Sequence, residues 1–456
     1  MVDTERTGAP PGEGRALDRE ILRLAVPAFL ALMAEPLYLL ADAAIIGHLG
    51  AAQLAGLGIA GAILQTVVGL CVFLAYGTTA AVARLLGVGD LRSALAQGID
   101  GLWLAVLIGA VATAAGLLLL DPLVRAFGAD DAITDYAIDY LQWAVLGITP
   151  LLLLLAATGV LRGLQDTRTP LVVAVASNAL NVVLNLALVY GAGLGIAGAA
   201  IGTVVAQSLG AAALVVVVVR AARREGAPLA PDLPGIRQAA RVGVPLLVRT
   251  LTLRASLLVT TVVAAGAGGV ELATHQLALT LWGFLAFALD AVAIAAQALT
   301  GRALGASDVA LTRRLTARMV RWGWASGIVT GVLLAVSAPW LGPLFSGDPA
   351  VHAALVPVLL VAAAAQPVAG VVFVLDGVLI GAGDGRYLAW GGLWVLLAFA
   401  PVALAVPLLP GSTLVLLWVV FGVLFIGGRA VVLVTRARGD RWLVTGTGTG
   451  RGRPRT

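Results

Sequence analysis

Lysine is absent from this chain: all 29 basic residues are arginine. The arginines are spread over loops and ends, with no basic patch interleaved with aromatics, so the net charge of +5 does not point to a nucleic-acid partner. There is a single cysteine, Cys71, inside an apolar run. A disulfide framework, a thiol pair and a cysteine zinc site are therefore excluded. The three histidines, His48, His275 and His352, lie in separate regions without a paired-histidine spacing, and no nucleophile motif accompanies them. A glycine-rich phosphate cradle is also missing, so ATP is not the direct energy source. These absences argue against an enzyme and predict no cofactor and no metal site. Charge itself is scarce, at 12% of residues, against about a quarter in an ordinary soluble domain.

What fills the chain is apolar: 60% of residues are hydrophobic and the mean hydropathy is +1.01. Twelve apolar windows, from 21–47 through to 412–437, are each long enough to cross a bilayer as a helix of about 20 residues. The first is too long for the apolar core of a cleavable signal, so it reads as a span. Alternate loops carry the arginines: Arg84 and Arg92, Arg162 and Arg168, Arg220 to Arg237, Arg302 to Arg314, Arg386, and the tail from Arg436. Their opposite numbers hold almost none, Arg125 excepted. By the positive-inside rule, this predicts a multi-pass protein of a bacterial-type inner membrane with both termini cytoplasmic.

The second half repeats the first at a constant offset of 218 residues, as from Arg23 to Arg241. Arg84, Leu86, Gly87 and Asp90 return as Arg302, Leu304, Gly305 and Asp308. Gly159, Val160, Leu161, Gly163, Asp166 and Arg168 return as Gly377, Val378, Leu379, Gly381, Asp384 and Arg386. An even number of spans per repeat makes the halves parallel. The predicted fold is therefore an all-α integral membrane protein whose twelve transmembrane helices form two six-helix bundles, related by a pseudo-two-fold axis along the membrane normal. The expected divisions are a cytoplasmic N-terminus (1–20), an N-terminal lobe (21–221), a cytoplasmic linker (222–238), a C-terminal lobe (239–437) and a disordered cytoplasmic tail (438–456). The tail's Arg451, Arg453 and Arg455 would lie near anionic lipid.

A charge at bilayer depth costs about 2.5–3.5 kcal/mol on insertion scales, so each one inside a span needs a reason. Six stand out: Glu35, Asp42, Arg249, Arg254, Asp290 and Asp376. Glu35 and Asp42, seven apart, share a face of helix 1, with Pro36 breaking a backbone bond between them. Asn178, Asn181 and Asn185 form an amide stripe along helix 5. Asp290 and Gln297 are likewise seven apart in helix 8. Arg249 and Arg254 face different ways, and one of them is expected to neutralise Asp290 or Asp376. Acids outnumbering bases favours cationic cargo. A buried carboxylate without a fixed cation can load and release protons near neutral pH, which suits a transporter driven by an ion gradient.

Four stretches carry a family resemblance over about residues 18–437. They are LLADAAIIGHLGAAQLAGLGIA around Asp42, GVLRGLQDTRTP at 159–170, NALNVVLNLALVYGAGLGIAGAAIGT at 178–203 and ATHQLALTLWGFLAFALDAVAIAAQALTGRALGASD at 273–308. In order and spacing they resemble the multidrug and toxic compound extrusion transporters, in particular the DinF-like branch. The resemblance implies two bundles around a central cavity that opens alternately to either side. It also implies export of amphipathic organic cations in exchange for protons or sodium. Asp42 falls on the family's helix 1 acid, tied to ion coupling, and Asn181 on its helix 5 asparagine. Asn185 stands where many members carry aspartate, so the carboxylate pair is absent and Asp42 is the principal acid, which favours protons over sodium. Asp376 and Asp290 fall on acids of the C-terminal lobe. Ion coupling is thus expected at Asp42, Asn181 and Asn185, and the cargo cavity at Glu35, Asn178, Arg249, Asp290, Gln297 and Asp376. The expected partners are small amphipathic substrates and membrane lipids, with the chain a monomer. The alternative reading is a flippase for a lipid-linked precursor or an anionic metabolite.

Overall fold

Hydrocarbon offers no hydrogen bonds to a peptide backbone, so a chain this apolar must satisfy every amide within its own helices. The computed structural model describes residues 13–447, and among them there are helices and turns but no strand. Twelve helical segments are long and apolar enough to span a membrane. They are α1 (Gly14–Gly47), α2 (Ala51–Val88), α3 (Leu91–Arg125), α4 (Asp131–Gly163), α5 (Arg168–Gly191), α6 (Gly195–Arg224), α7 (Leu233–Ala267), α8 (Gly269–Gly305), α9 (Val309–Phe345), α10 (Pro349–Gly381), α11 (Gly385–Leu408) and α12 (Thr413–Arg438). The helices overrun the apolar windows because polar caps, rather than hydropathy, end them. Asp90 accepts from the Ser93 amide at 2.9 Å to start α3, and its repeat Asp308 accepts from the Leu311 amide to start α9 at 2.7 Å.

The same offset governs the packing. A side chain added at Gly159 would meet the Ala75 carbonyl, and one at Gly377 the Ala293 carbonyl. Gly163 faces the Thr79 carbonyl as Gly381 faces that of Gln297. Helix α4 therefore lies on α2 as α10 lies on α8, by backbone approaches that only a missing Cβ allows. Where the bundles meet, the contact is reciprocal: Gly87 is against the Arg302 carbonyl and Gly305 against the Arg84 carbonyl. That exchange is the signature of a local two-fold between the repeats.

Polar ties between the bundles cluster near the arginine-rich face. Arg302 donates to Gln165 Oε1 at 2.5 Å and pairs with Glu20 at 2.6 Å. Arg318 pairs with Asp18, which also accepts from Trp322 Nε1 at 2.8 Å. Arg84 donates to the Ala382 carbonyl at 2.8 Å. Two further hydrogen bonds between α1–α6 and α7–α12 join the Tyr76 hydroxyl to Asp290 and Gln297 to the Tyr76 carbonyl.

Two expected boundaries move. The linker 222–238 shrinks to an irregular stretch between Arg224 and Leu233, because α6 and α7 each extend into it. Residues 438–447, expected as the start of a disordered tail, instead fold back onto the arginine-rich face: Trp442 is buried, Arg84 donates to the Val444 carbonyl at 2.7 Å, and the Gly446 amide donates to the Leu304 carbonyl at 3.0 Å. The tail is polar enough to read as disordered, but its backbone supplies acceptors for a buried arginine. Arg451, Arg453 and Arg455 lie outside the described residues.

Replacing Gly377 with leucine should overpack the α8–α10 contact by about 1–3 kcal/mol. We expect Gly377→Leu and its repeat Gly159→Leu to lower the thermal unfolding midpoint in detergent by similar amounts. An unchanged midpoint in either would show that these close approaches do not hold the bundles.

Candidate functional site

Helix α1 carries Pro36 within a continuous helix, so the Leu32 carbonyl loses its amide partner there. The two acids flanking that point have different surroundings. Asp42 is 3% exposed and accepts from Asn185 Nδ2 at 2.5 Å. Glu35 is exposed and has no hydrogen-bond partner among the described residues. The amide stripe on α5 does come together with α1: Asn178 donates to the Ala34 carbonyl at 2.8 Å, and Asn185 donates to Asn181 Oδ1 at 3.1 Å. Asn181 then passes the chain on to Thr203 Oγ1 of α6 at 2.9 Å, and Thr203 bonds Tyr38 of α1 at 3.2 Å. A ring of neutral hydrogen-bonding groups thus surrounds one carboxyl group. Asn185 Oδ1 is buried without a partner. Just beyond it, α5 widens into a π-turn at Ala187–Gly191, from which Tyr190 donates to the Ile45 carbonyl at 2.6 Å. Such turns recur at functional sites because they re-aim a helix end.

In the second half the acids are arranged differently. Asp376 of α10 is 5% exposed and held by two arginines. Arg249 Nε of α7 donates to Oδ1 at 3.2 Å, with a second, closer contact through Nη2, and Arg429 Nη2 of α12 lies 3.2 Å from Oδ2. Arg249, rather than Arg254, is therefore the neutralising arginine; Arg254 is exposed and lies over Gly69 of α2. Asp290 of α8 reaches across the seam to accept from the Tyr76 hydroxyl at 3.4 Å, and Gln297 donates to the Tyr76 carbonyl at 2.5 Å. The Arg249 guanidinium stands 5.9 Å from the centre of the Tyr76 ring, and Arg162 of α4 acts electrostatically on Asp290.

The duplication makes the asymmetry explicit. At the 218-residue offset, Asp42, Asn181, Asn185 and Thr203 correspond to Thr260, Phe399, Ala403 and Phe421. The Asn181–Thr203 hydrogen bond is replaced by a ring contact between Phe399 and Phe421, centres 6.5 Å apart. In the reverse direction Arg249, Asp376 and Arg429 correspond to Ala31, Thr158 and Ala211. Each half keeps a polar network that the other has replaced with apolar or neutral groups.

Sequence reasoning missed Arg429, Arg162, Tyr38, Thr203 and Tyr76. Arg429 is a lone charge inside the last span, the same signal that marked Arg249. Tyr38 sits four residues before Asp42 on its face of the helix. Thr203 and Tyr76 carried no signal, since a hydroxyl in a span is common. Arg429 and Arg84 are both buried and bring the bases level with the four acids picked out from the sequence, Glu35, Asp42, Asp290 and Asp376, while Asp100 of α3 adds a further buried acid.

Removing the charge of Asp376 leaves two buried arginines without a partner, a loss of about 3–5 kcal/mol. Asp376→Asn should therefore unfold at a clearly lower temperature than the parent. Asp42→Asn, whose ring of neutral partners can be kept, should unfold near the parent value. Equal thermal midpoints for the two variants would contradict the assigned difference between the sites.

Comparison with known proteins bears on the family and the fold. The family model described as MatE matches residues 27–187 and 245–399, one block in each half. The chain is 30% identical over 394 residues to Protein DETOXIFICATION 44, chloroplastic, of Arabidopsis thaliana, covering 83% of this chain and 75% of that one. It is 29% identical over 296 residues to DNA damage-inducible protein F of Escherichia coli (strain K12), covering 64% of each. Its fold is similar to the crystal structure of the Vibrio cholerae MATE transporter VcmN in the bent form, with a TM-score of 0.85 at 21% identity over 93% of this chain and 97% of that one. With a family model matched in both duplicated halves and a relative alike over most of its length, the chain belongs to the MatE family of multidrug and toxic compound extrusion transporters.

Proposed function

We propose that the chain exports amphipathic organic compounds, cationic in the main, in exchange for protons. The exchange uses alternating access across a bacterial-type inner membrane in which both termini are cytoplasmic. It works as a monomer without a cofactor. Asp42, Asn181 and Asn185 couple the ion; Glu35, Asn178, Arg249, Asp290, Gln297 and Asp376 border the cargo path. The observation that carries this reading is the ring around Asp42: a buried carboxyl group that takes part in none of the ion pairs among the described residues. Its own partners are the Asn185 amide and the Tyr38 hydroxyl, and these are linked behind it through Asn181 and Thr203. As a carboxylate, Asp42 accepts from Asn185. Once protonated it has a hydrogen to donate, and the amide oxygen of Asn185 lacks a partner. An amide can reverse its donor and acceptor ends, so both protonation states can be satisfied with a different arrangement of α1 against α5. Pro36, which removes one backbone bond of α1, lets that rearrangement bend the helix beside the pocket. Asp376 has no such freedom, because two arginines fix it as a carboxylate. Polar ties gathered at the arginine-rich face support a state closed to the cytoplasm, from which the opposite face releases cargo.

A second reading, export of an anionic or zwitterionic metabolite, is favoured by one observation: Arg162, Arg249 and Arg429 outnumber Asp290 and Asp376 around the seam. Sodium in place of protons is the other alternative for the ion.

Ethidium efflux from proteoliposomes under an imposed proton or sodium gradient separates these readings. Proton-driven efflux by the parent, with Asp42→Asn reduced to the leak rate, is the expected result. Sodium-driven efflux would reassign the ion. Failure of either gradient to move the dye, together with uptake of an organic anion, would replace the cationic reading with the second one.

A further inference from the structure

A cavity of about 460 Å³ opens at the arginine-rich face, away from both acid networks, between α2, α3, α7, the α10–α11 turn and the C-terminal segment. Its inner wall is apolar, formed by Phe73, Leu74 and Val242, and its outer part carries Arg84 and Arg441. Arg84 is the unusual member. It is 6% exposed, its two hydrogen bonds go to the neutral carbonyls of Ala382 and Val444, and its Nε has no partner among the described residues. A guanidinium buried this deeply without an acid is costly, and neutral carbonyls do not cancel its charge. The acid that also lines the cavity, Asp384, is already paired with Arg436 at 2.6 Å. Asp440, next to Arg441, is paired with Arg313. The cavity thus holds two arginines that have no acidic partner among the described residues, over an apolar floor, in a volume within the range of ligand sites.

We propose that this cavity binds a phosphate group, either the headgroup of an anionic phospholipid from the adjoining leaflet or free inorganic phosphate. Arginine is suited to such a group because its planar fork matches two phosphate oxygens. Arg84 belongs to the first half, Ala382 to the second and Val444 to the tail, so a phosphate at Arg84 would add an anionic anchor where all three meet. The apolar floor would receive the start of the acyl chains, which favours the lipid as occupant. The C-terminal segment forms part of the wall.

Native mass spectrometry of the full-length, detergent-purified protein tests this with phosphatidylglycerol and phosphatidylcholine of identical acyl chains. A parallel arm follows thermal unfolding in millimolar sodium phosphate against sodium chloride of equal ionic strength. The parent should retain phosphatidylglycerol roughly tenfold more than phosphatidylcholine, equivalent to about 1.4 kcal/mol. Arg84→Gln and Arg441→Gln should each lose that preference. Because Arg84→Gln could fail to fold, Gly77→Leu provides a second route. A Cβ at Gly77 makes only ordinary contacts with Val242 and Leu246, so leucine would fill the cavity and leave both arginines in place. It should reduce phosphatidylglycerol retention to the phosphatidylcholine level. Stabilisation by inorganic phosphate that vanishes in Arg441→Gln would support the site with free phosphate as its ligand; retention of the lipid alone would support it with the headgroup. The proposal is overturned if the parent holds both lipids equally and phosphate does not stabilise it. It is equally overturned if folded Gly77→Leu and Arg441→Gln keep the full preference.

Discussion

A charge inside hydrocarbon has to be answered by another group, and in this protein the way each one is answered separates the two halves. Asp376 is answered by two arginines, Arg249 and Arg429, which form an ion-pair cluster inside the C-terminal bundle. Among the described residues, Asp42 is answered by the Asn185 amide of α5 and the Tyr38 hydroxyl of α1, which Asn181 and Thr203 of α6 back up. Neutral partners can serve an acid in either protonation state, whereas a cation can serve only one. That difference in partners is what the proposed proton coupling at Asp42 rests on.

This division sits on a scaffold that treats the halves alike. The glycine contacts of α2 with α4 recur between α8 and α10, and the reciprocal Gly87 and Gly305 contacts join the bundles about a local two-fold. Packing of this kind has no polar partners to satisfy, so both copies could keep it while their interiors diverged. Where the first half has Asn181 and Thr203, the second has Phe399 and Phe421. The aromatic pair fills with rings the place where the first half has hydrogen bonds.

The seam itself is uneven. Ion pairs and hydrogen bonds from Glu20, Asp18, Arg84, Arg302 and Arg318 bind the bundles together near the arginine-rich face. Most of these are half-buried groups whose partners belong to the other half of the chain or to the tail. Partly hydrated ties of this kind cost less to exchange than a buried ion pair, as the proposed alternating access would require.

The amino-acid sequence alone determined the helices, their number, the parallel duplication and which acids lie within the spans. Each of these is a local or periodic property: hydropathy over a window, a fixed offset, a charge within an apolar run. The spacing of Asn178, Asn181 and Asn185 also placed the amide stripe correctly. Only the tertiary structure decided the partners. Glu35 and Asp42 share a helix face by spacing, yet one is exposed and the other enclosed, because α5 and α6 cover just one of them. Arg249 and Arg254 are equivalent as lone charges; the packing of α7 against α10 selects Arg249 for Asp376. The same packing brings in Arg429 from a helix 53 residues further along the chain, from Asp376 to Arg429. The tail at 438–447 reads as disordered by composition and is ordered by what it meets, a buried arginine in need of acceptors. Periodicity records which face of a helix is apolar, whereas a hydrogen bond or an ion pair depends on which two helices come to face each other.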